Sequence, residues 1–344
     1  EEVIALVLDA GKGTRMESKL PKVLHKAGGV PMVGQVLRAV KDAGTKREIV
    51  VVGFGAEAVT AYVGETAETV VQKEQLGTGH AVLQAESLLQ GEKGILLVTC
   101  GDTPLVRTET FRALLDCHKK TQASATVLTA CMPDPTGYGR VIRSADGKVS
   151  KIVEQKDGTS QELAVNEVNA GIYCFELPEL WELLHLIGNN NAQGEYYLTD
   201  IIGMLVADGK TVSSVAAEDY RETLGVNSRL QLAQAEKILR ERKLEELMTE
   251  GVTVQDPSNT YVETTVTVGR DTVLYAGTVL EGRTVIGENC EIGPFVRLTN
   301  VVMGDGNSLQ YTYAHDCTIE NNLTAGPFVH FRPKTHIEDH VKVG

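Results

Sequence analysis

From Val262 onward an apolar residue returns every six positions: Val262, Val268, Leu274, Leu280, Ile286 and Ile292. A second set of short residues keeps the same step at Val266, Thr272, Thr278, Thr284, Cys290 and Val296. Segments such as "VGRDTV", "LEGRTV", "IGENCE" and "IGPFVR" are hexapeptide repeats, and these build a parallel β-helix. At three hexads per coil, Gly251–Gly344 makes about five coils. An amphipathic β-sandwich is the alternative, and six hexads in register weigh heavily against it. The period slips through Leu298–Tyr313 and resumes at "IENNLT" and "AGPFVH". The chain stops at "IEDHVKVG", inside a repeat and without the polar cap that solenoids need, so the sequence reads as C-terminally truncated.

Ahead of the repeats, "SRLQLAQAEKILRERKLEELMTEG" (Ser228–Gly251) has no proline and no internal glycine, is rich in helix formers and closes on Gly251. It predicts one connecting helix of roughly 20 residues. The first two-thirds of the chain has another texture. Short apolar runs at Val3–Leu8, Glu48–Gly53, Ile95–Cys100 and Ala125–Ala130 alternate with helix-like stretches at Pro31–Gly44 and Thr108–Lys120. Apolar runs of this kind are strands buried on both faces of a mainly parallel sheet. The fold class is therefore α/β: a Rossmann-like domain over residues 1–227, a linker helix over 228–250 and a partial β-helix over 251–344. In such sheets a ligand sits at the carboxyl ends of the strands, where the Asp9–Arg15 loop and Cys100–Asp102 fall.

The net charge is -13 and the pI about 5.2, which excludes a nucleic-acid or anionic-membrane partner held by bulk electrostatics. Yet Lys12, Arg15, Lys19, Lys22 and Lys26 gather around a single acid, Glu17, just after the first strand. Six cysteines form no C-x-x-C pair, so a zinc site is not expected, and they read as reduced thiols of a cytoplasmic protein. The apolar part of "EEVIALVLDA" is too short to span a membrane and lacks a basic flank.

Gly11-Lys12-Gly13-Thr14-Arg15 lacks the third glycine of the dinucleotide fingerprint and the GK[ST] ending of a P-loop. Its glycines still let backbone N–H groups approach a phosphate, Arg15 offers a bidentate fork and Lys22 a compact charge. The competing reading is a tight turn with solvated lysines. "QKEQLGTGHA" (Gln72–Ala81) is a polar loop able to bond a base edge. Asp102 in "TCGDTPLV" ends a buried strand, where a carboxylate either holds Mg²⁺ or caps the next helix. Asn169 and Asn227, taken singly, read as turn residues.

Together, "LDAGKGTRM", "LPKVLH", "EQLGTGHA", "GDTPL", "GYGRVIR", "IVEQKD", "VNAGIY", "NNAQGEYYLTDII" and "GVNSR" follow one order. In that order the chain resembles, over its whole length, the bifunctional bacterial N-acetylglucosamine-1-phosphate uridyltransferase/glucosamine-1-phosphate acetyltransferases, which supply a cell-wall precursor. The resemblance implies a left-handed β-helix and a uridylyl transfer from UTP to N-acetylglucosamine-1-phosphate, giving UDP-N-acetylglucosamine. It implies that the backbone of Leu8, Asp9, Ala10 and Gly11, with Gln72, Gly77 and Thr78, holds the uridine. Arg15 and Lys22 would lie on the triphosphate as catalytic cations. Gly139, Glu154 and Asn169 would hold the sugar, with Tyr138 nearby and Glu195 and Thr199 on the pocket wall. Asp102 and Asn227 would bind Mg²⁺, and Arg332 in "HFRP" would be a sugar-phosphate contact of the acetyltransferase site. The family assembles as trimers, and the shortened β-helix implies a weakened one.

Two departures stand out. The family reads L-A-A-G before the loop, whereas this chain has Asp9 in place of the first alanine. A carboxylate pointing inward there is expected to weaken UTP binding about tenfold, since charges ~4 Å apart cost several kcal/mol at moderate dielectric; one pointing outward is expected to change little. The other is length: the acetyltransferase residues that follow Arg332 in the family lie past Gly344, so no acetyl transfer is expected. A sister sugar-1-phosphate nucleotidyltransferase and a non-catalytic scaffold of the same two domains are the competing readings. Neither is expected to combine "NNAQGEYYLTD" with Lys22, Asp102 and Asn227.

Overall fold

The computed structural model describes residues 1–344. The chain forms two compact units: Glu1–His25 with Pro31–Leu232, and Lys26–Val30 with Ala233–Gly344. In the first, a sheet runs from edge to edge through Val212–Ala216, Ala125–Cys131, Glu167–Leu177, Gly94–Cys100, Val3–Asp9, Arg47–Val52 and Glu68–Val71. Along this path all neighbours are parallel except Glu167–Leu177, which runs antiparallel to both strands beside it, and the antiparallel pair Arg140–Arg143 and Val149–Val153 joins it at Val168. The interior strand VIALVLD is buried almost throughout because helices cover both faces, which is why its run is continuously apolar rather than alternating. Helix Met32–Asp42 buries Met32, Val33, Val36, Leu37 and Val40, and helix Thr108–Thr121 buries Phe111, Leu114 and Leu115, each along one stripe.

Register decides where the chemistry falls. Leu8 stands opposite Cys100, and Asp9 opposite Val52, so the loops after three parallel strands leave from one edge. The antiparallel strand brings its beginning, not its end, to that edge. Asn169 therefore stands there too, opposite Thr129, next to an irregularity between Asn169 and Tyr173.

In the second unit, three parallel stacks of six, five and five short strands are those of the left-handed β-helix of hexapeptide repeats. Val262, Leu274, Leu280, Ile286 and Ile292 fill its axis. Thr272, Thr278 and Thr284 are fully buried; the first two hydroxyls donate to carbonyls of the following coil, at Gly287 and Ile292, and the third to the Glu281 carbonyl of its own coil at 2.7 Å. A hydroxyl is thus tolerated inside because it is satisfied. The period slips because coils shorten: Val279 pairs with Arg297, but Val302 pairs with Thr318, two residues sooner, before Thr318 pairs with His336. Residues are lost at the corners while the ladder continues. Inside the shortened coils Asn307 replaces a threonine, donating to the carbonyls of Gly304 and Glu320 and accepting from the Leu323 amide. Helix Arg229–Thr249 spans 21 residues, and no helix is long and apolar enough to cross a membrane.

Candidate active site

At the carboxyl edge of the sheet lies a cavity of about 280 Å³, lined by Leu8–Gly11, Lys22, Gln72, Gly77, Thr78, Asp102 and Glu195 among others. The loop after the first strand turns at Gly13, whose φ of 58° is left-handed and whose bare Cα lies where a Cβ would meet the Lys22 stem at 2.7 Å. The loop therefore needs glycine for Lys22 to pass behind it. The Lys22 ammonium, 13% exposed, donates to Asp102 Oδ2 at 2.8 Å and to Asn227 Oδ1 at 2.9 Å. Asp102 comes from the end of strand Gly94–Cys100. Asn227 is carried in by the segment before helix Arg229–Thr249, where the Val226 amide donates to the Asp102 carbonyl at 2.8 Å. Two hard oxygens, one charged, converge on one cationic point, which is a donor set suited to Mg²⁺. Asp102 is not the cap of the next helix, since Arg107 holds that place.

The loop Gln72–Gly79 is stitched to Glu195–Leu198. The Tyr196 amide donates to Leu76, the Gly79 amide to Tyr196 and the Leu198 amide to Thr78 Oγ1, at 2.8, 2.8 and 3.1 Å. Gly77 stands at φ 112° and ψ 174°, a region that only glycine occupies readily, and a Cβ there would lie 2.6 Å from the Tyr196 carbonyl. Gly77→Ala is expected to destabilise the protein by roughly 2–5 kcal/mol, from backbone strain plus overpacking against fixed backbone. Thermal melting checks this; an unchanged midpoint would contradict the close packing of the two loops.

Next to the cavity, Gly139, Glu154, Asn169 and Thr199 form a second group. The Asn169 amide donates to Gly139 at 2.8 Å, and Thr199 Oγ1 donates to Glu154 Oε1 at 3.1 Å. Burial, with Asp157, Asp200 and Glu195 nearby, raises the Glu154 carboxyl above the usual range, against the lowering effect of its bond from Thr199. Asn169 serves its turn, accepting from the Gly171 amide, and also donates to the Tyr173 hydroxyl. Tyr197 is a core residue, buried and bonded to Asp157. Cys100, which lines the cavity, lies with its sulfur 3.9 Å from the Gly171 carbonyl, two residues past Asn169.

Arg15 is exposed on the short turn Thr14–Met16, makes no protein hydrogen bond and is not among the residues lining the cavity. Arg332 lies in the other unit, exposed at the end of strand Val329–Phe331. Cys100 and Gln75 line the cavity, although Cys100 is placed by the sequence only at the ligand edge of the sheet and neither carries an expected binding role. Both sit inside stretches already singled out, "TCGD" and "KEQLG", so the signal was the motif rather than the residue.

Asp9 points inward: it is 7% exposed, and its Oδ2 has no hydrogen-bond partner. The expectation that an inward Asp9 brings a charge against UTP needs correcting. Burial pushes its carboxyl up to about 8, with Lys22 pulling it down and Asp102 pushing it further up. At neutral pH it is mostly protonated, so the repulsion is held off.

An edge of this kind, with phosphate-sized room beside a glycine loop, a lysine and oxygen donors for a divalent cation, belongs to the nucleotidyltransferases as a class. Residues 4–237 match the nucleotidyl transferase family, and residues 265–300 match the bacterial transferase hexapeptide repeat. The chain is 52% identical over 340 residues to the bifunctional protein GlmU of Geobacillus sp. (strain WCH70), covering 99% of this chain and 74% of that protein. It is 49% identical to that of Exiguobacterium sp. (strain ATCC BAA-1283 / AT1b) over 343 residues, 100% of this chain and 76% of that one. The chain belongs to the GlmU family. In fold it is similar to a crystal structure of UDP-glucose pyrophosphorylase complexed with UDP-glucose, with a TM-score of 0.58 at 18% identity, covering 70% of this chain and all of that one.

Proposed function

We propose that the protein transfers a uridylyl group from UTP to N-acetylglucosamine-1-phosphate, forming UDP-N-acetylglucosamine and pyrophosphate in the cytoplasm. The observation that carries this reading is the convergence of Lys22, Asp102 and Asn227 on one point of a cavity walled by the Gln72–Thr78 loop. Residues 1–227 are the catalytic domain, 228–250 the linker helix and 251–344 the β-helix.

In the reaction a phosphate oxygen of the sugar phosphate attacks the α-phosphorus of UTP, and the bond to the bridging oxygen of pyrophosphate breaks. No covalent nucleophile on the protein is required, so its task is to align two polyanions and neutralise them. Backbone groups of Leu8–Gly11 with Gln72, Gly77 and Thr78 hold the nucleoside. Gly139, Glu154 and Asn169 hold the sugar, with Thr199 fixing one Glu154 oxygen and Glu195 on the wall between. Lys22, and Arg15 from its exposed turn, meet the negative charge that builds on the non-bridging oxygens. Asp102 and Asn227 would hold Mg²⁺, which supplies further neutralisation of that charge when bound. Incubation with α-labelled UTP and N-acetylglucosamine-1-phosphate tests the reading. Labelled UDP-N-acetylglucosamine is expected, and is expected to disappear in EDTA; no labelled sugar nucleotide in the presence of Mg²⁺ would refute it.

The β-helix carries a self-association surface in the same reading. Phe295, Tyr311 and Phe328 stack on successive coils, with ring centroids 5.4 and 5.5 Å apart, and Phe328 is 85% exposed. An apolar ladder of that exposure favours contact with another copy, as in a trimer. Phe328→Glu is expected to shift the sedimenting species to monomer; unchanged sedimentation would contradict this.

A further inference from the structure

Gln72 lines the nucleotide cavity and is 3% exposed, and its side chain is held by two groups. Its Nε2 lies 3.3 Å from the Gly77 carbonyl and 2.8 Å from His80 Nδ1. A carbonyl oxygen can only accept, so Gly77 decides which end of the amide faces inward: it is the nitrogen. His80 Nδ1 must then accept as well, which places the imidazole proton on Nε2. The Gln84 amide nitrogen lies 3.3 Å from that Nε2 and donates to the His80 carbonyl at 2.9 Å, so turning its oxygen toward the ring N–H gives up that one bond at a half-buried side chain. The Gly77 carbonyl has no such freedom.

Both hydrogens of the Gln72 amide are thereby committed to the protein. Its Oε1 takes no protein donor and is not sealed from solvent, so what Gln72 offers the cavity is an acceptor. We propose that His80 is a positioning residue for base selection, holding Gln72 so that only its carbonyl oxygen faces the nucleobase. The site then accepts a base with an N–H at its pairing edge, as uracil has at N3. It rejects cytosine, whose N3 is an acceptor and would leave two lone pairs opposed in a buried place. His80 touches no reacting atom in this scheme; it acts through Gln72. The sequence supplies it two residues after Thr78, on the first turn of helix Thr78–Leu83, which is the spacing that returns its ring to Gln72.

This inference rests on the uridine-binding reading, and kcat/KM for UTP and CTP with N-acetylglucosamine-1-phosphate separates the two. The wild-type protein is expected to prefer UTP by at least about 100-fold. His80→Leu, which offers no acceptor, is expected to raise KM for UTP and reduce the UTP/CTP ratio at least tenfold, with kcat at saturating UTP within about threefold. His80→Asn, whose Oδ1 stands near the place of Nδ1, is expected to restore the ratio to within about threefold of wild type. Should the leucine variant fail to fold, His80→Ala is read in its place. A ratio unchanged in the leucine or alanine variant, or an asparagine variant as unselective as they are, would overturn the role of His80. Wild-type turnover of UTP and CTP at equal rates would also overturn it, while leaving uridylyl transfer standing. A wild-type protein that turns over neither nucleotide would instead refute the functional reading beneath it.

Discussion

Replacing Lys22 by alanine is expected to lower the rate of uridylyl transfer by about 100-fold or more, because preorganised charge facing a developing phosphoryl charge is usually the largest catalytic contribution. Lys22 is the one cation placed between Asp102 and Asn227, and it is only 13% exposed, so water screens it little. Without it the Asp102 carboxylate faces the triphosphate with no protein cation beside it. The loss is expected chiefly in kcat, measured at saturating UTP, with a smaller rise in KM. Arg15 has no protein partner to leave, so Arg15→Ala is expected to act on the triphosphate alone, with a loss of similar order. A loss under about threefold in both variants would remove these cations from the mechanism.

Asp9 carries the second large effect, and its sign is the reverse of an ordinary carboxylate's. In the unfolded chain Asp9 titrates near 3.8, and in the folded protein near 8, because burial disfavours its charge. Between those values the folded state keeps a proton that the unfolded state has lost. Stability from this group therefore falls as pH rises from about 4 to about 8, and levels off above. Asp9→Ala abolishes that slope and removes a buried carboxyl oxygen without a partner, so it is expected to stabilise the protein by about 1–3 kcal/mol at pH 7. Chemical denaturation of both proteins across pH 5–9 reads this out, and a gap that does not widen with pH would contradict it. The same ionisation acts on the substrate. KM for UTP is expected to rise as pH passes 8 in the wild type, by about tenfold when Asp9 is charged, and to stay flat in the alanine variant.

Much of this was legible in the sequence, for reasons that differ from element to element. The β-helix was legible because a period of six has few physical solutions. Its slipped stretch was not, since shortening a coil at its corners leaves the ladder intact while breaking the spacing. The sheet was legible from runs such as VIALVLD, whose burial on both faces needs continuous apolarity. The antiparallel Glu167–Leu177 was not, because direction leaves no trace in composition, yet that reversal is what brings Asn169 to the site edge. Lys22, Asp102 and Asn227 could be named from their motifs, but their convergence at 2.8 and 2.9 Å depends on two loops and a segment more than 200 residues from the first. The direction of Asp9 and its proton belong to tertiary burial, and no local pattern specifies either. His80 was hidden for the opposite reason. It lies within a stretch already read as base-binding, where only the orientation of a neighbouring amide shows what it does.

The measurement that bears most directly on the whole account is pyrophosphate release from UTP and Mg²⁺ with N-acetylglucosamine-1-phosphate, run beside glucose-1-phosphate at pH 7. Release with the N-acetyl sugar, and little with glucose-1-phosphate, is the predicted result. Equal release with both sugars would make the protein a less selective sugar-phosphate nucleotidyltransferase, and no release with either, from folded protein that binds UTP, would contradict the assignment of this edge as a catalytic site.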